Sequence, residues 1–123
     1  MENETILRFE GVDSAYDVWV NGAHVGYSKV SRLPAEFNIS SYIKEGENHV
    51  AVRVYKWSDG TYLEDQDMWW FSGIYRNVSL LNVPVHRIED CRVHADLDDT
   101  YTKGCLEADV RLSSESGILV WSL

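Results

Sequence analysis

The residues best suited to chemistry lie between Trp57 and Arg76, where Glu64, Asp65 and Asp67 stand among Trp57, Tyr62, Trp69, Trp70 and Phe71. Sugar rings stack on aromatic faces, and carboxylates accept hydroxyl protons or hold a cation, so this mixture suits a carbohydrate site. Gly60 and Gly73 permit sharp backbone turns inside the run. A retaining glycosidase needs two carboxyl groups about 5 Å apart on opposite sides of the bond it breaks. In an extended segment Asp65 and Asp67 would share one face, a geometry that fits hydroxyl binding or cation ligation better than acid and nucleophile work. Sodium or magnesium would take such oxygen donors, but one short loop cannot complete a coordination shell. A solvated acidic loop has the same composition, and spacing alone leaves both readings open.

The elements that must hold this run read as β-strands. Val18 and Val20 alternate with Asp17, Trp19 and Asn21, then Asn21-Gly22 intervenes and Val25 and Tyr27 resume. Asn-Gly between alternating segments predicts a hairpin, because both turn residues must accept positive φ. A further strand is expected over His49 to Tyr55, after the turn-rich stretch Lys44 to Asn48. Pro34 marks Ser31 to Phe37 as a loop or edge segment. One short helical turn is expected over Ile39 to Ile43, with Ser40 or Ser41 as its cap. Alternation returns from Ile74 to Leu80. Asn82-Val83-Pro84 reads as a boundary, since Pro84 lacks a ladder donor. Beyond it Cys91, Val93, Ala95 and Leu97 mark one strand, and Leu106, Ala108, Val110 and Leu112 another, with Asp98 to Gly104 between them. An apolar run from Ile118 to Leu123 ends the sequence. Short strands at this spacing make the fold all-β and sandwich-like.

Composition narrows the function. Of 123 residues, 45% are hydrophobic and 12% aromatic, enough for a packed core. A net charge of −9 opposes binding to nucleic acid or an anionic membrane. No apolar run is long enough to span a bilayer, and the opening residues lack a secretory pattern, so a cytoplasmic location is expected. Cys91 and Cys105 form no CxxC pair and sit where buried apolar side chains are expected. His24, His49, His86 and His94 lack metal-ligand spacing.

Three runs carry a family resemblance: Trp57-Ser58-Asp59-Gly60, then Leu63-Glu64-Asp65-Gln66-Asp67-Met68-Trp69, then Ser72-Gly73-Ile74-Tyr75-Arg76. Together they closely resemble the family 2 glycoside hydrolases and, within them, the large β-galactosidases. Phe9 to Ala15, Val20-Asn21-Gly22, Val25-Gly26-Tyr27, Ser31 to Phe37 and Gly46-Glu47-Asn48 look like the sugar-binding jelly roll of the same family. The resemblance implies a jelly-roll β-sandwich over residues 1–83, lacking its N-terminal strands. Residues 84–123 are similar to the opening strands of an immunoglobulin-like β-sandwich. By the same resemblance, Asp67 matches the aspartate that contacts the galactosyl group and helps hold sodium. Glu64, Asp65, Trp69 and Arg76 would support it, Arg76 through an ion pair near the loop. Trp70 and Phe71 fall where the family varies and receive no role.

The same resemblance assigns no catalytic residue to this chain. The acid/base and nucleophile glutamates, the remaining sodium ligands and a magnesium site would lie on a (β/α)₈ barrel domain, in a parent that hydrolyses terminal non-reducing β-D-galactosides and forms a homo-oligomer. This chain alone is then expected to be inactive. Two other readings compete: a stand-alone carbohydrate-binding module, and a β-sandwich assembly domain whose open edges drive association.

Overall fold

The computed structural model describes residues 3–67, 69–114 and 120. The Ile118 to Leu123 run lies almost wholly outside them, as does Met68. The described chain is nearly all β. It holds strands β1 (Asn3–Phe9), β2 (Val12–Asp13), β3 (Ala15–Val20), β4 (Ala23–Ser28), β5 (Ala35–Asn38) and β6 (Val50–Tyr55). A five-residue helix, α1 (Asp59–Leu63), precedes β7 (Gly73–Ile74), β8 (Val78–Pro84), β9 (Ile88–Leu97) and β10 (Gly104–Leu112). It divides into two compact units, Glu4–Val83 and a second that contains β9 and β10.

In the first unit two three-stranded sheets, ordered β5-β1-β8 and β4-β3-β6, share one core. The period of two decides which side chains fill it. Leu7 and Phe9 of β1 meet Tyr16, Val18 and Val20 of β3, with Val12 and Ile39 closing the cluster. Three rings sit at its centre: Phe9 lies 5.1 Å from Tyr16 and 6.0 Å from Phe37, and Tyr16 lies 6.0 Å from Phe37. Their tilted and edge-on arrangement is the one favoured by ring quadrupoles.

The Asn21-Gly22 hairpin forms as expected. Asn21 (φ 51°) and Gly22 (φ 86°) both adopt the left-handed conformation that a tight turn between twisted strands requires. Asn21 then ties the turn to the next strand, its Nδ2 donating to Asn48 Oδ1 at 2.8 Å and its Oδ1 accepting from His49 N at 3.0 Å.

Ile39 to Ile43 makes a single turn, in which the Ile39 carbonyl accepts from Tyr42 N at 2.9 Å and Ile43 N at 3.2 Å. Its cap differs from the expected serines. Asn38 Oδ1 accepts from Ser40 N at 3.0 Å, while Ser40 Oγ is engaged with Asn38 Oδ1 and the Thr5 amide. The Asn38 amide oxygen, two residues before Ser40, reaches a free N–H of the turn that Ser40's own hydroxyl does not.

In the second unit β9 and β10 pair antiparallel, with Cys91 opposite Val110, Val93 opposite Ala108 and Ala95 opposite Leu106. The alternate pairs are Asp90 with Arg111, Arg92 with Asp109 and His94 with Glu107. One face of the ribbon is therefore apolar, and on the other Asp90 faces Arg111 and Arg92 faces Asp109 as opposite charges. Every residue of β9 is exposed. Cys91 and Cys105 are accordingly exposed thiols rather than buried packing residues. Alternation placed Cys91 on an apolar face, but a face is buried only where a second layer covers it. Cys105, opposite Asp96, stands on the other face.

Candidate functional site

The site forms where the irregular run from Trp57 to Arg76 closes onto a segment far upstream. Ser58 precedes helix α1 as its N-cap residue; its backbone is extended (φ −149°, ψ 176°) and its amide donates to Thr61 Oγ1 at 3.1 Å. Asp59 stands in the first helical turn, where the helix dipole favours a carboxylate. Lys29 Nζ donates to Asp59 Oδ2 at 2.7 Å, a contact that lowers the Asp59 carboxyl and raises the Lys29 ammonium from their ordinary values. Gly60 packs against the Lys29 carbonyl, and at the helix end Glu64 Oε2 lies 3.8 Å from Arg32 Nη1.

The far end of the run returns to the same segment. Gly73 and Ile74 pair with Asp13 and Val12. Tyr75 Oη donates to the Ser31 carbonyl at 2.7 Å, and Arg76 Nη1 donates to the Arg32 carbonyl at 3.0 Å and the Glu10 carbonyl at 3.4 Å. The described hydrogen bonds of Arg76 go to backbone carbonyls. Both ends of the run are fastened to Lys29–Arg32, and the acids and most aromatics project from between them.

Asp13, Ser31, Arg32, Lys56, Trp57 and Thr61 are among the residues lining a concave pocket. Glu64, Asp65 and Gln66, and the aromatic residues Trp69, Trp70 and Phe71, line the same pocket. Ser31 is buried, at 5% exposure, and its Oγ lies 3.5 Å from Asp13 Oδ1. Burial pushes the Asp13 carboxyl up, against the lowering influence of the Ser31 hydroxyl and the Arg32 charge, and Glu64 adds repulsion in the raising direction. The rings of Trp57 and Trp70 meet in a tilted arrangement at 5.3 Å and 59°, and Trp69 meets Phe71 at 5.8 Å. Trp69 is 79% exposed and Phe71 64%.

Of the residues singled out in the sequence, Glu64, Asp65 and Trp69 come together around this pocket. Arg76 lies at the closure of the run and lines an adjoining pocket with Tyr75 and Asp13. Asp67 is exposed, on a bend beyond Asp65, and is not among the residues around the first pocket. Sequence reasoning missed Asp13, Ser31 and Arg32 as site residues and gave Trp70 and Phe71 no role. The signal available was that Asp13, Ser31 and Arg32 lie inside the upstream runs that carry the family resemblance.

Residues 1–84 match the family described as glycosyl hydrolases family 2, sugar binding domain. The chain belongs to this family. It is 52% identical over 114 residues to a β-galactosidase of Photobacterium profundum, an overlap covering 93% of this chain and 11% of that relative. Among solved structures, a β-glucuronidase of an uncultured Clostridium species matches 92% of the chain, with a TM-score of 0.73 and 26% identity, over 21% of its own length. A Bacteroides uniformis β-glucuronidase matches 76% of the chain at a TM-score of 0.69 and 24% identity, over 12% of its length, and shares the fold. The chain spans about a tenth of the length of its curated relative. Among the described residues the only helix is α1, so they contain no (β/α)₈ barrel. No helix among them is long and apolar enough to cross a membrane.

Proposed function

We propose that this chain is the sugar-binding jelly-roll portion, followed by the opening of an immunoglobulin-like sandwich, of a longer retaining β-galactosidase acting on terminal non-reducing β-D-galactosides such as lactose. The observation that carries this reading is the acidic and aromatic run from Leu63 to Trp69, in a chain 52% identical to a protein named β-galactosidase. In this reading the chain supplies one wall of the galactose site through Asp67. Glu64, Asp65 and Trp69 brace it, and the acid/base and nucleophile groups belong to a barrel domain of the same polypeptide. The active protein is cytoplasmic and homo-oligomeric.

The donor chemistry of Asp67 fits sodium, a hard cation that prefers oxygen ligands. Among the described residues no cluster of three or more His, Cys, Asp or Glu is gathered for a metal. Asp67 can therefore supply only part of a coordination shell, the remainder coming with the barrel, where magnesium would also reside. Sodium bound there would fix the orientation of the sugar hydroxyls. The chain's own part is to present the Asp67 carboxylate and keep the surrounding aromatic wall in place.

A second substrate is favoured by one finding, since the solved relatives above are named β-glucuronidases. A glucuronide carries a carboxylate, which a wall of Glu64, Asp65 and Asp67 would repel. Expression of the longer reading frame and assay against chromogenic β-galactoside and β-glucuronide separates the two. The expected result is hydrolysis of the galactoside, lost by orders of magnitude in Asp67→Asn. Preference for the glucuronide, or full activity in Asp67→Asn, would sink the reading. The 123-residue chain alone is expected to hydrolyse neither.

A further inference from the structure

We propose that Arg76 is the positioning residue of the acidic run, holding the wall to which Asp67 belongs by binding two backbone carbonyls from separate parts of the jelly roll. This rests on the reading of Asp67 given above. Arg76 stands at the end of the run, and its Nη1 donates to the carbonyls of Arg32 at 3.0 Å and Glu10 at 3.4 Å. Its guanidinium also lies 5.2 Å from the centroid of the Tyr75 ring, whose hydroxyl donates to the Ser31 carbonyl at 2.7 Å. One side chain thus gathers the β1–β2 corner, the Lys29–Arg32 segment and the exit of the run.

The fit at the corner is close. A Cβ on Gly11 would stand 2.9 Å from Arg76 Cδ and 2.9 Å from Tyr75 Cζ, so position 11 is shaped around these two side chains. Guanidinium suits the task because its planar fork presents several fixed donors, whereas a lysine ammonium is a point charge on a flexible stem. The opposite end of the run is tied by Lys29 to Asp59 and Arg32 to Glu64, ion pairs between exposed or half-exposed groups. Pairs of that kind are weak and screened by salt. At the exit the two carbonyl contacts of Arg76, themselves at the surface, act together with the Tyr75 hydroxyl on the Ser31 carbonyl and the β2–β7 pairing.

Amide hydrogen exchange on the chain itself tests the proposal, comparing wild type with Arg76→Met, Arg76→Lys and Gly11→Ala. Exchange over residues 59–67 is expected to quicken about tenfold in Arg76→Met and in Gly11→Ala, with Val18 and Val20 in β3 unchanged. Arg76→Lys should restore part of the protection. Unchanged exchange over 59–67, or equal acceleration in β3, would overturn the proposal.

In the longer polypeptide, Arg76→Met is expected to raise KM for a chromogenic β-galactoside by a larger factor than it lowers kcat. A fall in kcat alone, as from a smaller folded fraction, would remove the link between Arg76 and the sugar site. Absence of galactosidase activity in the wild-type longer polypeptide would remove the function proposed for Asp67, while the exchange pattern would still decide what Arg76 holds in place.

Discussion

Two aromatic clusters in this chain follow opposite rules. Phe9, Tyr16 and Phe37 interlock between two sheets, with Phe9 and Tyr16 each 1% exposed. Trp57, Trp69, Trp70 and Phe71 also pair with one another, yet all are exposed. The difference lies in backbone regularity. Strands alternate, so an aromatic on the inner face has no choice but the core. Among its described residues, the run from Trp57 to Arg76 is tied to the Lys29–Arg32 segment at Asp59, Glu64, Tyr75 and Arg76 and carries its aromatics outward. The first cluster maintains the fold; the second is available to a ligand or another domain.

Mutation separates the two clusters most sharply at their centres. Phe9→Ala should cost about 3–5 kcal/mol in urea unfolding, the range for deleting a buried ring. Phe71→Ala should shift stability by no more than about 0.5 kcal/mol, as exposed substitutions do. Equal losses in both variants would erase the distinction. The hairpin that aligns β3 with β4 gives a smaller effect: Gly22→Ala should cost about 1–2 kcal/mol, because a side chain there must adopt positive φ. An unchanged urea midpoint would mean that the turn relaxes freely.

The smallest effect is expected at Asp13, where the ordered sheet meets the exposed run. Its raised carboxyl means the folded state holds the proton more tightly than the unfolded one. The stabilising contribution is therefore present below the ordinary aspartate range and fades as pH rises through the higher folded value. Asp13→Asn, which removes a partly buried charge, should raise the urea midpoint slightly at neutral pH and leave it unchanged near pH 3, an acidity at which an ordinary aspartate (pKa about 3.9) is mostly protonated. A midpoint lowered equally at both pH values would show instead that Asn cannot replace the carboxyl in its contact with Ser31.

Much of the fold was legible along the chain. Asn21-Gly22 announced its hairpin because few other pairs tolerate two positive φ values. The alternation of Cys91 to Leu97 and Leu106 to Leu112 announced a ribbon, whose register then joined them strand to strand. Their burial was not legible, because alternation states which side chains share a face and not whether anything covers it. The site was legible in part. Glu64, Asp65 and Trp69 are near neighbours in sequence and remain so around the pocket. Asp13, Ser31 and Arg32 complete that pocket from 32 to 51 residues away along the chain, counting from Asp13 and Arg32 to Glu64. No local pattern encodes such a meeting.

By itself the sequence determined that this protein is built of short alternating strands and that one irregular run gathers acids and aromatics in the manner of family 2 glycoside hydrolases. The first follows from local physics, since strand period and turn tolerance are properties of neighbouring residues; the second rests on the resemblance of the run's motifs to that family. Tertiary structure decided which of those side chains face one another. Arg76 donates to the carbonyls of Glu10 and Arg32 because two sheets close around Phe9 and Tyr16 and bring their corners together. Long-range closure of that kind depends on packing the whole core, which no single stretch of sequence contains.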